Sequence, residues 1–110
     1  MRLPNADSAV VEIEKLQDYC LSISHPRGRH KARVFATALG IAADDAEILR
    51  EALLSAARTY EAKLAESDEY GQRYMLDFPM DHFDKRASIR SSWIIRSGEN
   101  FPRLTICYVL

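Results

Sequence analysis

The spacing of apolar residues changes once along this chain. Up to about Arg58 they recur at helical intervals, and from Tyr60 onward they alternate with polar residues, as in strands. Ile13, Leu16 and Cys20 predict a first helix over about Glu12 to Leu21, after an extended Leu3-Pro4-Asn5-Ala6. Pro26 ends that region, because proline disfavours helix in the residue before it. A second helix opens at Gly28-Arg29 and runs to Leu39, with Gly40 as its C-cap. Asp44-Asp45-Ala46-Glu47 reads as a capping box for a third helix to about Arg58, striped by Ile48, Leu49, Ala52, Leu53 and Ala56.

Four alternating runs follow. Tyr60, Ala62 and Leu64 make the first, with a turn at Ser67-Asp68-Glu69. Tyr74, Leu76, Phe78 and Met80 make the second, before a polar loop over Asp81 to Lys85. Ala87, Ile89, Ser91, Trp93 and Ile95 make the third, and Leu104, Ile106, Tyr108 and Leu110 the fourth, across a turn at Ser97-Gly98-Glu99-Asn100. Short turns between strands predict an antiparallel meander. The expected fold is α+β: three N-terminal helices packed on one face of a four-stranded sheet, in a single domain spanning residues 1–110. Trp93, Tyr60, Tyr74 and Phe78 fall on the apolar face and read as core.

Ideal alternation leaves Glu61, Lys63, Arg73, Asp77, Arg90, Ser92, Arg96, Arg103, Thr105 and Cys107 on the other face, where cations outnumber acids. That face is read either as solvated surface or as a shallow basic cleft. Net charge is only −1, so the whole chain is no general polyanion binder. The charge is uneven, however. Residues 25–33 hold four cations, two histidines and no acid, whereas residues 34–69 hold three cations against eight acids. Cys20 and Cys107 form neither a metal-ligand spacing nor a disulfide framework, and no His or Cys pair stands at ligand spacing, so no metal or cofactor is expected. No apolar run approaches the roughly 18 residues of a membrane span. A cytoplasmic location is the default expectation.

The densest polar cluster is His25-Pro26-Arg27-Gly28-Arg29-His30-Lys31-Ala32-Arg33, at a helix start where free N–H groups favour anions. With Phe35 and Leu39 on the buried side, Lys31 falls on that side too, and either snorkels to water or points into a cleft against the sheet. Arg29, His30 and Arg33 read first as solvated charges. His25 precedes proline in a loop beside cations, where it is a turn residue or an acid–base group near neutral pH.

His25 to Phe35, Leu39-Gly40-Ile41, Tyr70-Gly71-Gln72-Arg73-Tyr74, Trp93-Ile94-Ile95 and Pro102-Arg103-Leu104-Thr105-Ile106-Cys107-Tyr108 together resemble a family of small bacterial domains common in cyanobacteria. That family is similar to C-terminal toxin domains of contact-dependent inhibition and filamentous-haemagglutinin-like proteins. Its order of elements resembles the barnase–EndoU–colicin–RelE ribonuclease superfamily, which cleaves RNA without metal using the 2′-hydroxyl as nucleophile. The resemblance implies a catalytic set of His25, Lys31, Thr105 and Tyr108, with Arg29, His30, Arg90, Ser92 and Arg103 as substrate contacts. Strict alternation puts Tyr108 on the apolar face opposite Thr105, and a bulge or the strand end would be needed to re-aim it.

The first expectation is therefore a metal-independent ribonuclease-like toxin domain, with RNA and a cognate immunity protein as partners. The alternative is a non-catalytic, immunity-type or regulatory binding module using the acidic middle helix. A third reading places a small anionic ligand in the same cleft.

Overall fold

The computed structural model describes Met1 to Leu110. Its helices are α1 (Ile13–Lys15), which passes directly into a π-helical stretch, Leu16–Cys20, then α2 (Arg29–Leu39) and α3 (Ala46–Thr59). The strands are β1 (Lys63–Asp68), β2 (Gly71–His82), β3 (Lys85–Arg96) and β4 (Arg103–Val109), antiparallel in the order β1-β2-β3-β4. The fold is α+β, with three helices and one four-stranded sheet.

α2 follows the sequence expectation closely. Gly40 closes it at φ 68°, a left-handed conformation that costs glycine nothing, and its N–H bonds to the Ala36 carbonyl at 2.9 Å. α3 also forms as expected, but Asp44 and Glu47 make no capping box. A 3-10 turn over Ala43–Asp45 precedes the helix, and the Asp45 carboxylate accepts the Ala42 N–H at 3.0 Å. Ile48, expected in the apolar stripe, is exposed. The first helix departs most. Only Ile13–Lys15 is α-helical, and beyond it Leu21 N–H bonds five residues back to the Leu16 carbonyl at 2.8 Å. Such π-turns occur where packing overrides the regular ladder. Here the preceding Val10 is tied to β4 through Val10 N–H to Pro102 O (2.9 Å) and Leu104 N–H to Val10 O (3.0 Å).

One apolar cluster joins the helices to the inner face of the sheet, with Trp93, Phe35, Leu16, Leu39, Leu49 and Leu53 fully buried. Ser91 is the one buried polar side chain. It donates to the Leu76 carbonyl (2.7 Å) and accepts Trp93 Nε1–H (2.9 Å), so the indole enters the core with its donor satisfied. Tyr74 and Phe78 are core, as alternation requires. Tyr60 and Leu64 are not: both are exposed, Tyr60 because it caps the end of α3 rather than joining a strand, and Leu64 because β1 is a short edge strand whose pairing with β2 shifts register between Leu64 and Ser67.

The turns are tighter than the sequence suggests. β2 and β3 remain paired through His82↔Lys85, so the polar loop shrinks to Phe83-Asp84, with Phe83 at φ 55° and 94% exposed. The β1–β2 turn centres on Glu69-Tyr70. It ends at Gly71, where φ is 147° and a Cβ would collide with the Ile95 carbonyl.

β4 carries the decisive irregularity. Ser92 pairs with Ile106 and Trp93 with Leu104, so Thr105 is an extra residue on β4. Beyond it the alternation inverts. Cys107, expected on the open face, is buried opposite Ser91, and Tyr108, expected on the apolar face, stands on the open face opposite Arg90.

Candidate functional site

The bulge assembles a row across the outer face of the sheet: Asp77 on β2, Arg90 on β3 and Tyr108 on β4 are successive cross-strand neighbours. Arg90 holds Asp77 through two parallel bonds, Nε to Oδ1 and a terminal nitrogen to Oδ2, both 2.9 Å. This geometry holds the Asp77 carboxyl below its ordinary range. It also holds Arg90 firmly protonated, with the Tyr108 hydroxyl a further, smaller stabilising group. From the edge of the sheet α2 brings Lys31, whose ammonium lies 4.9 Å from the centre of the Tyr108 ring, a cation–π contact. Lys31 thus takes the cleft-facing option that its position on α2 left open.

Next to this row the cleft opens along the β4 edge. Lys15, Tyr19, Thr105 and Ile106 line an open depression of about 390 Å³. Thr105 and Ile106 also border a second hollow of about 260 Å³, which continues over Ser92, Met75 and Arg73. Thr105 Oγ1 donates to the Ser92 carbonyl at 3.0 Å, so the hydroxyl is fixed at the junction of the two hollows. The π-helical stretch gives Tyr19 to this wall. Gly28 makes that placement feasible, since a Cβ there would collide with the Tyr19 carbonyl oxygen. A third hollow, between Leu21–Ser24 and Ala42–Asp44, has one carboxylate and no cation.

His25 sits behind Tyr19, ring centres 4.5 Å apart. Its Nδ1 accepts the backbone N–H groups of Arg27 (3.0 Å) and Gly28 (3.2 Å), closing the turn into α2. Nδ1 is therefore the unprotonated nitrogen, and only Nε2 is left for chemistry.

The structure brings Lys31, Tyr108, Arg90, Ser92 and Thr105 to one surface. It does not bring Arg29 and His30 there. Both are exposed on α2, and no hydrogen bond or ion pair ties either to the sheet. Arg103 lies on the face but is committed to Glu99 (3.0 and 3.1 Å), to Glu12 (3.7 Å) and to the Phe101 ring. With Arg73 paired to Asp68 at 3.4 Å as well, the face is less basic than its composition suggests. Lys15, Tyr19 and Asp77 were not among the expected site residues. Asp77 and Arg90 would have been paired by correct strand register, but Tyr19 carries no sequence signal because the π-helical stretch presents it, and Lys15 is the last residue of α1, just before that stretch.

Residues 2–110 match the profile of a family described as a domain of unknown function, DUF6883. The chain belongs to that family. Among curated proteins none matches the sequence. A solved structure of similar fold is a contact-dependent growth inhibition toxin–immunity protein complex from Klebsiella pneumoniae 342. The match has a TM-score of 0.71 and 15% identity, over 94% of this chain and 95% of that chain. At that identity the likeness is one of fold. No helix of this DUF6883 domain is long and apolar enough to cross a membrane, and no three His, Cys, Asp or Glu side chains converge as a metal-ligand group.

Proposed function

We propose that this domain is the toxin module of a toxin–immunity pair and cleaves RNA without a metal ion. The observation that carries the reading is the convergence of Lys31, Arg90 and Tyr108, from a helix and two strands, beside an open groove. Two cations beside a phenol, Lys31 over its ring and Arg90 shared with Asp77, suit a phosphodiester, whose charge grows in the transition state. In this mechanism the RNA 2′-oxygen attacks phosphorus, its proton passes to a base, and a 2′,3′-cyclic phosphate forms. The 5′-oxygen departs with a proton from an acid. Lys31 and Arg90 stabilise the phosphorane charge, and Thr105 positions the backbone. Tyr108 and the free Nε2 of His25 are the proton-transfer groups.

Incubating pure protein with total RNA and with tRNA is the direct test. Cleavage leaving cyclic phosphate ends, lowered about a hundredfold or more by Lys31→Ala and by Tyr108→Phe, is the expected result. Intact RNA with the folded protein overturns the reading.

An immunity-type binding module is favoured by one observation: Arg90, Arg73 and Arg103 are already neutralised by Asp77, Asp68 and Glu99. It is distinguished by tight binding to a protein encoded next to it, with His25→Ala and Lys31→Ala tolerated.

A further inference from the structure

Arginines and lysines are placed differently around the outer face of the sheet. Arg73, Arg86, Arg90 and Arg103 are each held by a carboxylate, from Asp68, Asp81, Asp77 and Glu99 respectively. Lys15, Lys31 and Lys63 form no ion pair, and Lys31 has only the Tyr108 ring. These lysines mark the two ends of one path. Lys63 is exposed on β1 opposite Met75, which shares the outer face with Ser92 and Thr105. Lys15 and Lys31 stand on the elements packed beside β4, one at the Tyr19 hollow and one over Tyr108. Between them lie the two hollows that meet at Thr105. The path crosses all four strands, about 14 Å at the usual strand spacing. Arg96 is also unpaired, but it stands at the end of β3, off this path.

The hollows suit uncharged groups better than phosphate. Glu66, at the rim of the Met75 hollow, has no cation partner and repels anions. The Tyr19 hollow is lined by Ile106 and by a phenol ring that His25 backs at 4.5 Å. Such a ring offers a face to a flat, uncharged partner.

We propose that this face is a track for one strand of nucleic acid, with phosphates held by Lys63 at one end and by Lys15 and Lys31 at the other, and an unpaired base stacked on Tyr19. A duplex keeps its bases inside and presents none to the hollow, so the substrate class is unpaired loops and ends. The phosphate at Lys31 is the one beside Arg90 and Tyr108. Lys63, Lys15 and Tyr19 stand away from it and select and position the strand. The track rests on the nucleic-acid reading of this cleft, but not on cleavage.

The test uses the whole chain and a labelled oligodeoxythymidylate of about twelve nucleotides, which spans such a site and lacks the 2′-hydroxyl that cleavage needs. Binding is followed by fluorescence anisotropy between about 50 and 200 mM salt. Lys15→Ala and Lys63→Ala are each expected to reduce the salt slope of log affinity by about 0.7. Lys85→Ala, at the start of β3, is expected to leave it unchanged. Tyr19→Leu should weaken binding about tenfold or more, and Tyr19→Phe should retain it. A duplex of the same length should bind more weakly than the single strand. No binding at the lowest salt, a slope indifferent to Lys15→Ala or Lys63→Ala, wild-type affinity in Tyr19→Leu, or equal affinity for the duplex or for polyglutamate would each overturn the proposal. Oligonucleotide bound as expected while RNA stays intact sinks the toxin reading alone. RNA cleaved while oligonucleotide binding ignores Lys63 and Tyr19 sinks the track alone.

Discussion

Phe83 and Ser91 show what single residues contribute to this fold. Phe83 occupies the left-handed region at φ 55° with its ring in solvent, next to the His82 ring. An aromatic residue gains nothing there to offset the backbone strain. Phe83→Gly is expected to raise unfolding free energy by about 1 kcal/mol in urea titrations. Ser91 is the opposite case. Ser91→Ala leaves the buried Trp93 N–H without its acceptor, an expected loss of about 1–3 kcal/mol measured the same way. Alternation alone made both Ser91 and Trp93 inward-facing. The hydrogen bond between them was not legible, because it depends on how the two side chains meet inside the core. His25 was legible as a turn residue or an acid–base group, and its Nδ1 contacts favour the first role without removing Nε2 from the second.

At the level of elements, α2, α3 and the long β2–β3 pair were readable because their periods are sustained. α1 was not, since Ile13, Leu16 and Cys20 suit an α-helix equally well and only packing beside Val10 and β4 selects the π-turn. Gly28 was read simply as the opening of α2. Its function is contact: it lets α2 begin against the Tyr19 carbonyl. Gly28→Ala is therefore expected to push the π-helical stretch off α2. The Tyr19–His25 contact should then be lost, seen as altered His25 ring resonances in NMR, with a lower thermal midpoint. Gly71→Ala meets both a positive φ and the Ile95 carbonyl, and is expected to cost about 1–3 kcal/mol in urea titrations.

Over the whole molecule, charge does more to tie strands together than to attract a polyanion. Asp77 and Glu99 are held below their ordinary values chiefly by Arg90 and Arg103, and Asp68 chiefly by the Tyr70 backbone N–H. A carboxyl whose folded pKa is depressed adds stability above its unfolded pKa, and that stability is lost as pH falls through the folded value. Their ordinary values are 3.8 for the aspartates and 4.5 for Glu99. The urea midpoint is thus expected to hold steady from neutral pH to about pH 5 and to fall below about pH 4. Asp77→Asn and Glu99→Gln should flatten that fall. None of this pairing was legible from composition, which counts charges without showing which ones face each other.

The Thr105 bulge also has a meaning for how this chain can change over generations. It acts as a frame shift written in side chains: upstream of it one parity is core, downstream the other. A chain in which Thr105 took the rung opposite Ser92 would fail, with a phenol driven into the core and a thiol turned out to solvent, whereas one shortened by Thr105 itself would close the same rungs as a regular ladder. What descendants must preserve is therefore the register beyond 105, with Cys107 opposite Ser91 and Tyr108 opposite Arg90.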